Sequence, residues 1–256
     1  YRFQAEMLAP VLNLRWGILS ADGYEQLHSI HQETMLRYVD SERISDWARA
    51  EGRWAHLTMG HRVMVLRMLG VRYLLSGADL SIEAPELKEV ARVDVDPGPT
   101  SRAAPEVRVL EVPNPLPRYH LVFESRSFDS DGEALDAVAF GEVDPAEVVL
   151  LPRGEGRVPG TTRPQNAQPA VRGNGAVETV ALGNDRVSLR VSADRPAYLV
   201  TSDSFWPGWR AWVDGMEVPV LRANVSGRAV WLGEAGEHEV TFGFEPPGCR
   251  SRWPPI

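Results

Sequence analysis

The sequence predicts an α/β plus all-β protein: an N-terminal α/β domain over residues 1–152, a Pro/Gly-rich linker or long loop over 153–175, and a C-terminal antiparallel β-sandwich over 176–256. Three observations carry this expectation. Helix-period and strand-period stretches alternate through the first half of the chain. Periodicity then vanishes between Pro152 and Gly175, where Pro, Gly, Arg and Asn dominate. Beyond it come about seven short alternating stretches with turn signals every 8–12 residues, the pattern of a sandwich.

The elements follow in order. Residues 1–6 read as a strand, and 15–19 form a short apolar run closed by the turn 20–23. Residues 25–39 have helical spacing, with Leu27, Ile30, Thr34 and Val39 near one face. Thr58 is placed to cap a second helix with His61 in its first turn and Val63, Leu66, Met68 and Leu69 as apolar stations; Gly70 ends it. Strands are expected at 71–75, 89–95, 106–112 and 120–123. Ser130 to Glu133 opens a helix over 134–139, and Asp144-Pro145 precedes a strand over 147–151. That strand fits either domain.

In the second half, 177–182 and 186–192 alternate around the turn 183–185, with Val187, Leu189 and Val191 sharing a face. After 197–201 comes the densest segment, residues 202–215, holding Trp206, Trp209 and Trp212 of the chain's eight tryptophans. Trp209, Ala211 and Val213 alternate with Arg210, Trp212 and Asp214, so one face is expected to enter the core. Asp214-Gly215 is a tight-turn dipeptide. Further strands are expected at 217–221, 228–232 and 238–244.

Composition narrows the function classes. A net charge of -8 over 256 residues opposes binding to nucleic acid or flat docking on anionic lipid, both of which need clustered cations. The single cysteine, Cys249, excludes an internal disulfide and a cysteine-based zinc site. No apolar run long enough to span a bilayer occurs. The chain starts at Tyr1 inside a strand-like stretch and ends in a proline-rich run, which reads as a domain excised from a longer protein.

Motifs for catalysis are lacking. There is no GxSxG elbow, P-loop or GxGxxG. Asp129, Asp131 and Glu133 lack the spacing of a calcium loop, because Gly132 follows only two alternating oxygen ligands; helix capping is the better reading. His28 and His31 stand at helical spacing without a third ligand, and His56 and His61 are isolated, so no metal or other cofactor is expected. Asn224-Val225-Ser226 matches a glycosylation sequon. The aromatic segment has two readings. Trp209 and Val213 fill a core, while Trp206 and Trp212 offer flat rings to a sugar, with Arg210, Asp214, Arg222 and Asn224 as hydroxyl partners.

The string from Tyr198 through Pro207-Gly208-Trp209 to Val213-Asp214-Gly215 resembles the "LvlSdsyyPGWkayVDG" segment of YfhO-type bacterial membrane proteins. The likeness continues through Val218-Pro219-Val220, Arg222-Ala223-Asn224 and the stretch from Gly236 to Phe242. Upstream, Gly23-Tyr24-Glu25, the stretch from Leu69 to Leu74, Leu116-Pro117-Arg118 and Asp144-Pro145 resemble other family elements. Phe205-Trp206 stands where the family usually has two tyrosines. The resemblance implies a polytopic glycosyltransferase-like parent that uses lipid-linked sugars outside the cell membrane, with its catalytic acidic residue in a membrane core that this chain lacks. It implies that the present chain is a non-catalytic extracytoplasmic module. Such a module would position a cell-wall glycan acceptor or polyprenyl-linked sugar donor, with the membrane-embedded part of its own parent as partner. The alternative is a structural or protein-interaction module with no ligand of its own.

Overall fold

The computed structural model describes residues 30–39, 58–77, 79–80, 82–94, 106–154 and 173–245. They form a β-rich protein in two compact units, divided between Leu116 and Pro117. The expected strand and turn at 1–23, the start of the first helix, and the loop at 96–99 lie outside the described residues, as does most of the 153–175 linker.

In the first unit, α1 spans Ile30–Val39 and α2 Met59–Met68. His61 Nδ1 accepts the Thr58 backbone N–H at 3.1 Å, so a histidine does the work usually given to Glu or Gln at the third helical position. Val63, Leu66 and Met68 are buried as the spacing predicts. Strands β1 (Tyr73–Ser76), β2 (Lys88–Asp94) and β3 (Glu106–Glu111) form an antiparallel sheet ordered β1-β3-β2. Met59, Val63 and Leu66 pack with Ala84, Leu87, Leu110 and Val112 to make its core. The described part of this unit thus combines two helices with an antiparallel sheet.

The second unit begins with β4 (Tyr119–Val122), β5 (Glu124–Phe128), α3 (Asp131–Ala139) and β6 (Val148–Pro152). Then come β7 (Gly175–Leu182), β8 (Arg186–Ala193), β9 (Ala197–Thr201) and β10 (Trp209–Val213). The last four are β11 (Met216–Val218), β12 (Leu221–Ala223), β13 (Gly227–Leu232) and β14 (Gly236–Phe244). A five-stranded sheet is ordered β11-β10-β14-β8-β7 and a four-stranded sheet β12-β13-β9-β4; β5 and β6 pair in parallel.

Two apolar clusters explain how these pieces stack. Val187, Leu189, Val191, Ala211, Val213, Val240 and Phe242 of the five-stranded sheet meet Leu199, Val230 and Leu232 of the four-stranded one. On the other face of that four-stranded sheet, Tyr198, Val200, Leu221, Ala223 and Ala229 pack against Val149 and Leu151 of β6. The four-stranded sheet is thus buried on both sides. That is why Ala197 to Thr201 reads as an unbroken apolar run and all five residues are buried.

The boundary expected after residue 152 falls instead before β4. Register places His120 opposite Val200 and Leu121 opposite Leu199, which makes β4 an edge strand of the four-stranded sheet. The strand near Val148 belongs to the same unit. The expected single strand over 217–221 is two strands in two sheets, β11 and β12, separated by Pro219-Val220. Proline lacks the N–H that would continue the ladder. Strand β5 was not foreseen, because Glu-Ser-Arg-Ser-Phe is mostly polar and shows no alternation of burial-prone residues.

Candidate functional site

The segment between β9 and β11 is built around Asp203, Trp209 and the hairpin turn. Asp214 (φ 51°) and Gly215 (φ 79°) both occupy the left-handed region, as a two-residue hairpin turn requires. Ala211 pairs with Val218 and Val213 with Met216. Ala211 and Val213 point into the core shared by the two large sheets, so Arg210 and Trp212 lie on the outer face of the five-stranded sheet.

On the inner side, Trp209 is half-buried at the margin of the core, tilted against Phe244 with ring centroids 5.3 Å apart. The guanidinium of Arg228, from β13, lies 3.6 Å from the Trp209 ring centroid and 5.3 Å from that of Phe242. Among the described residues Arg228 is the bulkiest fully buried side chain, 2% exposed. One of its amino groups donates to Asp203 Oδ2 at 3.0 Å, where the Tyr119 hydroxyl also donates at 3.0 Å; Arg118 Nε donates to Oδ1 at 2.7 Å. Asp203 is itself fixed, since its N–H donates to Thr201 Oγ1 at 3.1 Å. Burial pulls the Arg228 pKa down to about 10, and nearby Asp203 opposes that fall; the group stays cationic at neutral pH. Burial, followed by the Asp203 charge, pushes the Tyr119 phenol far above its usual range, so it serves only as a neutral donor.

On the outer side, Arg210 is held by Glu217 through Nε at 2.8 Å and a second short bond from Nη2, and by Glu245 through Nη1 at 2.8 Å. Its guanidinium carbon sits 5.2 Å from the Trp212 ring. The bond from Arg210 lowers the Glu217 pKa. Directly opposite Arg210 on β14 is Gly243, where a Cβ would stand 3.1 Å from Trp212 Cζ3, so a side chain there would press the indole outward by a few tenths of an ångström. Trp212 faces Thr241, which in turn faces Ser188 on β8, so the half-buried indole begins a row of two hydroxyl-bearing residues.

The six expected sugar-contacting residues do not converge on one spot. Arg210 and Trp212 are neighbours on the outer face. Trp206 is half-buried in the loop before β10, its carbonyl accepting the Trp209 N–H at 3.3 Å. Asp214 lies at the hairpin tip, where Oδ1 accepts the Glu239 N–H at 2.8 Å and Oδ2 is 2.7 Å from His238 Nδ1. Arg222 and Asn224 are buried in and just after β12, the edge strand of the four-stranded sheet. There Arg222 donates to Asp131 Oδ1 at 2.7 Å, and Asn224 both donates to Leu150 O and accepts its N–H, mimicking a strand partner. With Asn224 6% exposed and its amide oxygen committed, the sequon is closed to modification in the folded chain.

The acidic group at 129–133 is a helix start. Ser130 Oγ accepts the Glu133 N–H at 3.2 Å, and Glu133 Oε2 accepts the Asp129 N–H at 3.0 Å. Among the described residues no three His, Cys, Asp or Glu side chains gather as a metal site, and no helix is long and apolar enough to cross a membrane.

Sequence reasoning missed Asp203, Arg118, Tyr119 and Arg228 as a group. Arg228 left a signal: it is charged yet flanked by Gly227 and Ala229-Val230 in an apolar strand, so a buried partner had to exist. No family model, curated protein or solved structure matches the chain.

Proposed function

We propose that this chain is a non-catalytic, extracytoplasmic glycan-positioning module of a membrane glycosyltransferase-like protein. It would present a cell-wall glycan or polyprenyl-linked sugar to a membrane-embedded part of its own parent. The observation that carries the reading is the Arg210–Trp212 pair on the outer face of the five-stranded sheet, beside Thr241 and Ser188. A flat indole next to hydroxyls and a fixed guanidinium is chemistry that suits a pyranose ring, whose faces are apolar and whose edge is hydroxylated. The shared core of the two large sheets supports reading the second unit as built on a β-sandwich, to which β4 adds an edge strand. The residue-level likeness to YfhO-type proteins supplies the membrane and cell-wall context.

The test is binding of cell-wall glycans by the isolated chain, together with transfer by the parent protein. Trp212→Ala is expected to weaken glycan binding about tenfold, the loss of one ring-stacking contact, and Trp206→Ala less. Absence of binding to any cell-wall glycan, with transfer unchanged in both variants, would sink the reading.

A second reading is favoured by one observation. Arg118, Asp203, Arg210, Asp214 and Arg222 all bond within the unit, which suits a structural module. It predicts that substitutions in the Pro207-Gly208-Trp209 block lower protein abundance and leave transfer per molecule intact.

A further inference from the structure

The Asp203 cluster holds more cation than its own anion satisfies. Arg118 and Arg228 share one carboxylate, and Tyr119 is neutral. Asp203 has little capacity left, with one donor on Oδ1 and two on Oδ2. Nε and Nη1 of Arg228 have no acceptor among the described residues, although the side chain is 2% exposed.

Stacking on Trp209 accounts for where the guanidinium lies but not for these donors. The π face stabilises the cation as a whole, whereas the N–H groups radiate in the guanidinium plane and need acceptors at its edge. A buried donor left without one carries the full cost of its lost hydration. Arg118 lies on the other side of Asp203 with its side chain one-third exposed, so the cluster has a solvent-facing cation beside a buried one.

We propose that Arg118 and Arg228 form a seat for an oxyanion, a phosphate or carboxylate group carried by a ligand, which enters past Arg118 and completes the edge of Arg228. One oxygen of such a group meets an Arg228 N–H that lacks an acceptor while another meets Arg118, and ionic acceptors make the strongest such bonds. The seat lies on the inner side of β10, so it is separate from Trp212 and its failure would leave the glycan reading untouched.

The experiment is titration of the full chain with inorganic phosphate and with acetate, against chloride at matched ionic strength. Arginine Nε–H and tryptophan indole signals are followed by NMR. The expected result is a saturable shift of Arg228 Nε–H and the Trp209 indole by one or both oxyanions, weakened about tenfold in Arg118→Gln, as loss of one charge-assisted bond implies, and unchanged in Arg210→Gln. Preference for phosphate or for acetate then identifies the ligand group. A shift that chloride reproduces means an adventitious ion only. That outcome, equal affinity in Arg118→Gln, or an Arg228 Nε–H that neither oxyanion moves would overturn the proposal. The last would assign the donors to internal water. Because Arg118 is partly exposed, its variant keeps the test valid even where Arg228 substitutions unfold the chain.

Discussion

Two arginine–tryptophan stacks lie on opposite faces of the same strand, and they differ in almost everything but composition. Arg228 sits 3.6 Å from Trp209 in the interior, and burial lowers its pKa. Arg210 sits 5.2 Å from Trp212 at the surface, and bonds to Glu217 and Glu245 raise its pKa. The interior cation has one carboxylate, which it shares; the surface cation has two. Charge is therefore balanced where water already screens it and left in excess where desolvation is most costly. A stack maintained against that cost points to use of the buried cation, whereas the surface cation is screened and more than matched by its two carboxylates.

The most direct way to break the comparison is to delete each cation. Arg228→Ala is expected to destabilise the protein by about 3 kcal/mol or more, since it opens a gap between Trp209 and Phe242 and removes a donor from Asp203. Arg228→Met should recover much of that loss, because it keeps the volume and removes the unmet donors. Urea unfolding reads both, and equal costs for the two variants would show that packing plays no part.

A smaller effect sharpens the contrast at the hairpin tip. His238 Nδ1 faces Asp214 Oδ2 at 2.7 Å and Nε2 faces the Glu234 carbonyl at 3.2 Å, so both ring nitrogens meet acceptors and the imidazolium is favoured. Burial lowers the His238 pKa, but the bonds to Asp214 and Glu234 outweigh it and the value ends raised. The bond from His238, then that from the Glu239 N–H, lowers Asp214. The histidine contribution is fully present below the unfolded value near 6.5 and disappears as pH rises through the raised folded value. The Asp214 contribution is present above its unfolded value and fades as pH falls through the lowered one. Stability at the tip should thus be greatest in the mildly acidic range. His238→Gln is expected to flatten the alkaline side of that profile by about 0.5–1 kcal/mol, visible as thermal midpoints measured across pH.

Smallest of all is Arg210→Ala, expected to cost about 1 kcal/mol or less because the pair is exposed. A loss as large as that of Arg228→Ala would erase the distinction between the two faces.

Much of the fold was legible because local rules governed it. The Asp214-Gly215 turn, the Val187, Leu189 and Val191 face, the Ser130 helix start and the Thr58 cap each depend on residues within a few positions of one another. The misplaced features depended on distant ones. Tyr119 to Val122 has no local mark of pairing with β9, and Pro219 breaks a run without showing that the halves join different sheets. The candidate site divides in the same way. Arg210 and Trp212, two apart on a strand, share a face by necessity. Arg222 and Asn224, close to them in sequence, lie in and just after β12, which belongs to the other large sheet.

By itself, the sequence determined that the second half is a set of short strands, that the hairpin turns at Asp214-Gly215, and that one face of β10 is apolar. Those properties follow from backbone sterics and side-chain period. Only the tertiary structure decided that Asp203 would gather Arg118, Tyr119 and Arg228. Bringing charges together from β4, β13 and the loop between β9 and β10 depends on which strands pair and how sheets stack, and no local preference encodes that.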